Sequence, residues 1–469
     1  MSVQLTVENF GPIGGGTVQL KPLTILIGPN NAGKSYLAML TYAATHDVRY
    51  RRRRFPLFRR RAAYKADPAF SEYKQDFLAR WSEAKGSLTL PEQVLEDLNN
   101  DVREALEQYG RDFVSEIERG FSRQLVELVR VNKTNSKCSI EVRHGNPRWA
   151  LNISAGESSP LVELTVAPNV KAIAKRIMST LPDQSRLFSS LAPPELLWEQ
   201  LVELILNDCF REFPTPAYYL PAARSGILQS HKLLASIIVS RSSFAGIEDM
   251  QVGRLTGVLS DFISHLLRMD ARRKTQLAEI ADYLESAVLK GKVLITGSRP
   301  AYPEIVYEAG EGRYQLPSTS SMVSELAPVV LFLRYLVDPG EMVVIEEPES
   351  HLHPAVQQKL ARAIARLVNA KVTVVLTTHS DYFLTQINNL ILAGGLEPKK
   401  RTAAGYTSEE CLEVSKVAAY LFKPTAKGTT IKRMRIARAR GISQAEFARA
   451  AEVLYTETVA LERSLPDAD

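Results

Sequence analysis

Leu23-Thr-Ile-Leu-Ile27-Gly28-Pro-Asn30-Asn31-Ala-Gly33-Lys34-Ser35 is an apolar strand that runs into a glycine-bounded loop, and a helical pattern continues from it through Ala44. The loop has the form GxxxxGK[ST] and sits between strand and helix, the setting in which that pattern binds phosphate. Glycines let successive backbone N–H groups turn inward around phosphate oxygens, and the helix N-terminus adds partial positive charge. Gly28, Asn30, Asn31, Gly33, Lys34 and Ser35 are therefore candidate nucleotide contacts. Lys34 would reach the β- and γ-phosphates, and the Ser35 hydroxyl would ligate Mg²⁺.

A second stretch becomes interpretable beside this loop: Met342-Val-Val-Ile-Glu346-Glu347-Pro-Glu-Ser350-His351-Leu-His353-Pro354. Met342 to Ile345 read as a short buried strand, which Pro348 forbids from continuing. Side chains alternate along a strand, so adjacent carboxylates at its end can serve different tasks. One can hold a metal ion while the other faces a water molecule. A third apolar strand, Val372 to Leu376, ends in Thr377-Thr378-His379-Ser380. That ending puts His379 in the crevice where open α/β sheets bind ligands. Between the two stretches, Pro317-Ser-Thr-Ser320-Ser321-Met-Val-Ser324-Glu325 opens a helix. A serine cluster there is a capping signal, and the same geometry offers a hydroxyl and backbone N–H groups to an anion.

The chain has 469 residues, 45% hydrophobic and 23% charged, which is ordinary for one large or two to three smaller globular cores. The start lacks a basic segment followed by an apolar run, so no secretory signal is legible. The most apolar long stretch, Met322 to Val337, carries Glu325 and Arg334 and is too short to span a bilayer, so no membrane partner is expected. Cys138, Cys209 and Cys411 are few and far apart. They indicate a cytoplasmic protein without disulfides.

The net charge of +6 is local. Residues 47–61 hold eight arginines, Arg49, Arg51 to Arg54 and Arg59 to Arg61, against Asp47, a balance of +7 that leaves the rest of the chain at −1. The run reads either as a solvated loop or helix face over a partner subunit, or as a dock for nucleic acid or an acidic protein trigger. Tyr50, Phe55 and Phe58 interleave with it and would suit stacking on bases.

Residues 66–130 are expected to be predominantly helical. Leu98, Val102, Leu106, Tyr109, Phe113, Ile117, Phe121, Leu125 and Leu128 recur at three- and four-residue steps, with Gly110 and Gly120 interrupting. An amphipathic helix or helix pair fits this better than a long coiled coil. Residues 138–168 alternate as a small antiparallel sheet, and 193–213, 227–241 and 254–290 read as helices. Strands are expected at 3–9, 17–28, 292–297 and 303–308. Tyr218 to Gly226 reads as a strand leaving the core into a loop, with Arg224 either phosphate-sensing, at an interface, or in a surface ion pair.

The order of phosphate loop, serine-led helix, Glu-Glu-Pro strand and Thr-His-Ser strand resembles the ATP-binding-cassette ATPases, in the branch containing SMC, RecF and OLD proteins. Glu346 to Pro354 and Leu220 to Gly226 resemble the stand-alone, OLD-like ATPases of bacterial anti-phage systems. The resemblance covers residues 1–46 and roughly 292–395. It implies an α/β fold: a cassette core with a mixed sheet and phosphate-loop helix in 1–46 and 292–395. It also implies a large, mostly helical insertion in 47–291 with a small antiparallel sheet, and a helical C-terminal segment in 396–469.

By the same resemblance, Glu346 binds Mg²⁺ and Glu347 is the general base. Ser321 is the signature serine that contacts the γ-phosphate of ATP held by a second subunit, and His379 is the switch histidine. Ser350 to His353 would face the partner subunit, a role that stands against a zinc site at His351 and His353. ATP and Mg²⁺ are the implied substrate and cofactor, and a homodimer or higher homo-oligomer the implied assembly. A separately encoded effector, a nuclease or toxin, is expected, because residues 396–469 hold no acidic cluster with metal-nuclease spacing. The alternatives are a RecF- or SMC-like DNA-repair or DNA-remodelling ATPase using Arg49 to Arg61, and a scaffold that binds ATP without hydrolysing it.

Overall fold

The structure, a computed structural model, describes residues 3–46, 72–83, 90–130, 137–145, 148–156, 159–180, 194–228, 255–296 and 304–462. The arginine run of 47–61 and most of the helix expected at 227–241 lie outside these residues.

Five adjacent parallel strands form one end of an 11-stranded mixed sheet. In spatial order they are β13 (Val417–Lys423), β3 (Leu23–Ile27), β12 (Thr373–Thr378), β11 (Met342–Glu346) and, at the sheet's edge, β7 (Ala217–Leu220). Each core strand reads as a continuous apolar run because both faces are covered. Val343 and Ile345 of β11 enter one apolar core, while Met342 and Val344 enter the other. Beyond β13 the sheet continues through β14 (Thr429–Arg433), β2 (Ile13–Gln19), β1 (Gln4–Phe10), β4 (Cys138–Gly145), β5 (Arg148–Ala155) and β6 (Leu161–Val166).

On one face lie α1 (Lys34–Thr45), α2 (Glu72–Glu83), α3 (Glu92–Phe121), α4 (Val170–Thr180) and α5 (Pro194–Cys209). The apolar periodicity of α3 is continuous, and Leu98, Val102, Leu106, Phe113 and Ile117 are all buried in this core. Helix α6 (Gly257–Leu267) bridges the two faces, and α7 (Ala278–Leu284) lies on the opposite one. That face is built from α8 (Ser321–Tyr335), α9 (Pro354–Asn369) and α10 (Asp381–Gly394). The strands expected at 292–297 and 303–308 form β8 (Lys292–Thr296) and β9 (Glu304–Ala309), joined by β10 (Gly312–Gln315) in a separate three-stranded sheet.

Two sequence expectations change. The sheet of 138–166 is not a separate small one: β4 pairs antiparallel with β1 from Gln4↔Arg143 to Glu8↔Ser139, so the insertion widens the main sheet. Residues 396–469 are not wholly helical. Helices α11 (Pro398–Ala403) and α12 (Ala445–Glu462) flank β13 and β14, and β13 is the neighbour of the phosphate-loop strand in register Ala419↔Ile25. The apolar run Val417 to Phe422 needs two covered faces, and only the central sheet supplies them. Basic residues at its ends, Lys416 and Lys423, disguise that run in the sequence.

Candidate functional site

Parallel strands carry their loops to one edge of the sheet, and four of the expected signals arrive there from neighbouring strands. In register, Ile27 lies beside Thr378, Glu346 beside Thr377, and Ile345 beside Leu220. The ends of β3, β12, β11 and β7 thus bring together the phosphate loop, His379, the carboxylate pair and the Arg224 segment.

The phosphate loop is shaped by residues with positive φ. Asn31 has φ 61° and Gly33 φ 91°, the backbone turn that aims N–H groups into one concavity. A Cβ at Gly28 would stand 2.7 Å from the Phe422 carbonyl oxygen, so this position tolerates only glycine beside β13. Asn30, Asn31 and Ser35 are exposed at the open side, and Ser35 lies in the first turn of α1. Lys34 is 6% exposed and donates to the carbonyls of Gly28 and Pro29, both at 2.8 Å. Burial lowers its pKa, against the opposing pull of Glu347, Glu349 and Glu346. A buried cation whose hydrogen bonds among the described residues go to the carbonyls of its own loop is suited to exchange them for an anion.

Glu346 is 8% exposed, and its Oε2 accepts from the Ala222 backbone N–H at 3.2 Å. With the Ser35 hydroxyl it gives a donor set of hard oxygens. That set matches Mg²⁺, which takes one or two protein ligands beside phosphate and water. Glu347 has φ 40°, a left-handed conformation that a non-glycine residue keeps only when its surroundings enforce it. The enforcement is visible. Its N–H reaches Thr377 O at 3.1 Å and Thr377 Oγ1 at 3.0 Å, while Ser350 Oγ donates to its Oε2 at 3.1 Å.

His379, about half exposed, places Nδ1 3.6 Å from Glu347 Oε1 and 3.9 Å from Glu349 Oε1. Glu349 went unassigned in the sequence. Its Oε1 accepts from Thr378 Oγ1 at 2.5 Å and from the His379 N–H at 3.1 Å, fixing the backbone on which His379 stands. Its Oε2 is buried without a hydrogen-bond partner among the described residues, and burial raises its pKa.

Ser321 stands apart from this cluster. Ser320 is the N-cap of α8, accepting from the Val323 N–H at 3.4 Å, so Ser321 is left exposed on the first turn. No hydrogen bond among the described residues ties it to the phosphate loop or the carboxylates. His353 caps α9 through Nδ1, which accepts from the Ala355 N–H at 3.3 Å.

Arg224 is not in the surface ion pair that was one of its readings. It is fully buried, makes an ion pair with Glu325 Oε2 at 3.1 Å, and donates to backbone carbonyls around the carboxylate pair. It is neither a surface pair nor exposed to an interface, because its partners surround it on every side.

Residues 315–385, which run from the approach to α8 through β11, α9 and β12 into α10, match a family described as "AAA domain, putative AbiEii toxin, Type IV TA system". No curated protein matches the chain. Among solved structures, the SMC head bound to the C-winged helix domain of ScpA is similar at 10% identity and TM-score 0.41, covering 94% of this chain and 99% of that one. The SMC head domain from Thermotoga maritima is similar at 8% identity and TM-score 0.37, covering 93% and 100%. A third is the Smc head domain with an extended coiled coil bound to the C-terminal domain of ScpA, derived from Pyrococcus furiosus. It is similar at 9% identity and TM-score 0.40, covering 97% and 98%. No helix among the described residues is long and apolar enough to cross a membrane.

Proposed function

We propose that the chain is a Mg²⁺-dependent ATPase acting as the sensor or motor subunit of an anti-phage defence complex, with a separately encoded effector. The observation that carries the ATPase reading is the convergence of Glu347, His379 and Lys34 at adjoining strand ends, with Glu347 and His379 3.6 Å apart.

In this reading the loop N–H groups from Gly28 to Ser35 receive phosphate oxygens, and Lys34 leaves the Gly28 and Pro29 carbonyls for the β- and γ-phosphates. Glu347 takes a proton from the attacking water as the new P–O bond forms and the bond to the β–γ bridging oxygen breaks. The leaving group is ADP. Ser350 and Thr377 keep the Glu347 carboxylate aimed, and His379 offers a ring nitrogen to the γ-phosphate side. Ser35 and Glu346 would hold Mg²⁺, which when bound neutralises charge developing on the phosphate oxygens. Ser321, exposed at the N-terminus of α8, serves the nucleotide of a second copy, so a two-fold dimer completes both sites.

The defence role rests on the resemblance of Glu346 to Pro354 and Leu220 to Gly226 to OLD-like ATPases. A toxin–antitoxin system in the description of the family matched over 315–385 adds support. Turnover tests the chemistry: Glu347→Gln should bind ATP and release no phosphate, and undiminished hydrolysis would remove Glu347 from the role of base. Phage challenge of cells carrying the chain with its neighbouring genes tests the biology. Absence of protection with the wild-type chain sinks the defence assignment, and protection that survives Glu347→Gln shows that it does not depend on hydrolysis.

A further inference from the structure

Resting on the ATPase reading above, we propose that Arg224 is a positioning residue that couples the partner-facing helix α8 to the catalytic Glu347. The guanidinium occupies the junction of three elements. On one side Nε donates to the Glu325 backbone carbonyl at 3.1 Å and stands 3.1 Å from Glu325 Oε2 as an ion pair, without a hydrogen bond to that carboxylate among the described residues. On the other, Nη1 donates to the Glu346 carbonyl at 2.8 Å and Nη2 to the Glu347 carbonyl at 3.2 Å. Nη1 also reaches Pro221 O at 3.3 Å, which ties the group to its own loop after β7.

Two features make this a coupling. Glu325 lies one helical turn below Ser321, so a displacement of the exposed start of α8 is carried to Glu325 by the helix itself. The carbonyls that Arg224 holds belong to the peptides on either side of the Glu347 Cα, which has the left-handed φ of 40°. Nothing in the sequence locally favours that conformation; it persists because bonds from outside enforce it. Glu325 is 1% exposed and Arg224 fully buried, so neither can relax into water when α8 moves. A planar fork that donates to carbonyls of Pro221, Glu325, Glu346 and Glu347 while pairing in charge with the Glu325 carboxylate cannot be reproduced by a lysine ammonium. When α8 seats on a second copy's nucleotide, Arg224 draws the Glu347 backbone into the geometry in which its carboxylate faces the attacking water.

The experiment compares Arg224→Lys and Glu325→Gln with the wild-type chain, avoiding the alanine variant, which would leave a buried carboxylate unpaired. Steady-state hydrolysis gives kcat and KM for MgATP. Self-association with ATP, measured in the Glu347→Gln background, reports whether α8 still engages. Arg224→Lys should keep nucleotide affinity and ATP-driven self-association while kcat falls on the order of 100-fold, as a small misplacement of a catalytic group does. Glu325→Gln should show the same split, and it decides alone if Arg224→Lys does not fold. Wild-type turnover in either folded variant overturns the coupling. So does a parallel loss of affinity, self-association and kcat, the pattern of a merely structural arginine. A wild-type chain without Mg²⁺-dependent hydrolysis overturns the ATPase reading and the coupling together, whereas normal hydrolysis that Glu347→Gln abolishes and the Arg224 and Glu325 variants leave intact overturns the coupling alone.

Discussion

His379 Nδ1 faces Glu347 Oε1 across 3.6 Å, although the two residues leave the sheet from different strands. This spacing leaves the imidazole and the carboxylate on the rim of one opening. His379→Ala should therefore lower kcat by about tenfold or more while changing nucleotide affinity little. Pre-steady-state phosphate release checks it, and a loss confined to KM would place His379 in ground-state binding.

Gly28→Ala should destabilise the folded chain even without nucleotide, because the added Cβ meets the Phe422 carbonyl of β13 at 2.7 Å. The cost of such overpacking is about 1–3 kcal/mol. Thermal unfolding in nucleotide-free buffer measures it, and an unchanged Tm would show that β13 can yield.

Burial holds the Glu349 carboxyl above its ordinary range. The fold therefore binds that proton more tightly than the unfolded chain does. This group favours folding most at low pH, and its contribution is lost as pH rises from the ordinary carboxylate range through the raised folded pKa. Glu349→Gln, which keeps an acceptor for Thr378 and the His379 N–H, should gain on the wild type in Tm between about pH 5 and about pH 8. A gap that stays constant or narrows on going to the higher pH contradicts it.

Truncation separates the two halves of the C-terminal region. Residues 452–458 of α12 are exposed, so removing 443–469 should shift Tm by less than about 5 °C. Removing 396–469 takes away β13 and strips β3 of a neighbour, and should abolish cooperative unfolding and nucleotide binding. Circular dichroism melts distinguish the cases, and a stable product from the longer deletion would show that β3 does not need β13.

The local signals were legible because each is written within a few residues. Strand, glycine loop and helix are contiguous around Lys34, and Glu346, Glu347 and Pro348 are neighbours. What stayed hidden depends on pairing at long range. Val417 to Lys423 does not announce that it will lie beside Leu23 to Ile27. Arg224 looks like any loop arginine until Glu325 and the Glu346 carbonyl, 101 and 122 residues away, close around it. Glu349 was passed over because a third acid after a recognised pair gives no sign of being buried.

The position of β3 between β12 and β13 also sets an order of events during synthesis. The strand that presents the phosphate loop emerges long before both of its neighbours, Thr373–Thr378 and Val417–Lys423. Because such distant partners close a very long loop, the nascent chain cannot assemble its nucleotide site while most of it is still being made. For much of translation β3 is an unpaired apolar edge. Pairing of β3 on both edges therefore waits until Val417–Lys423 has been made.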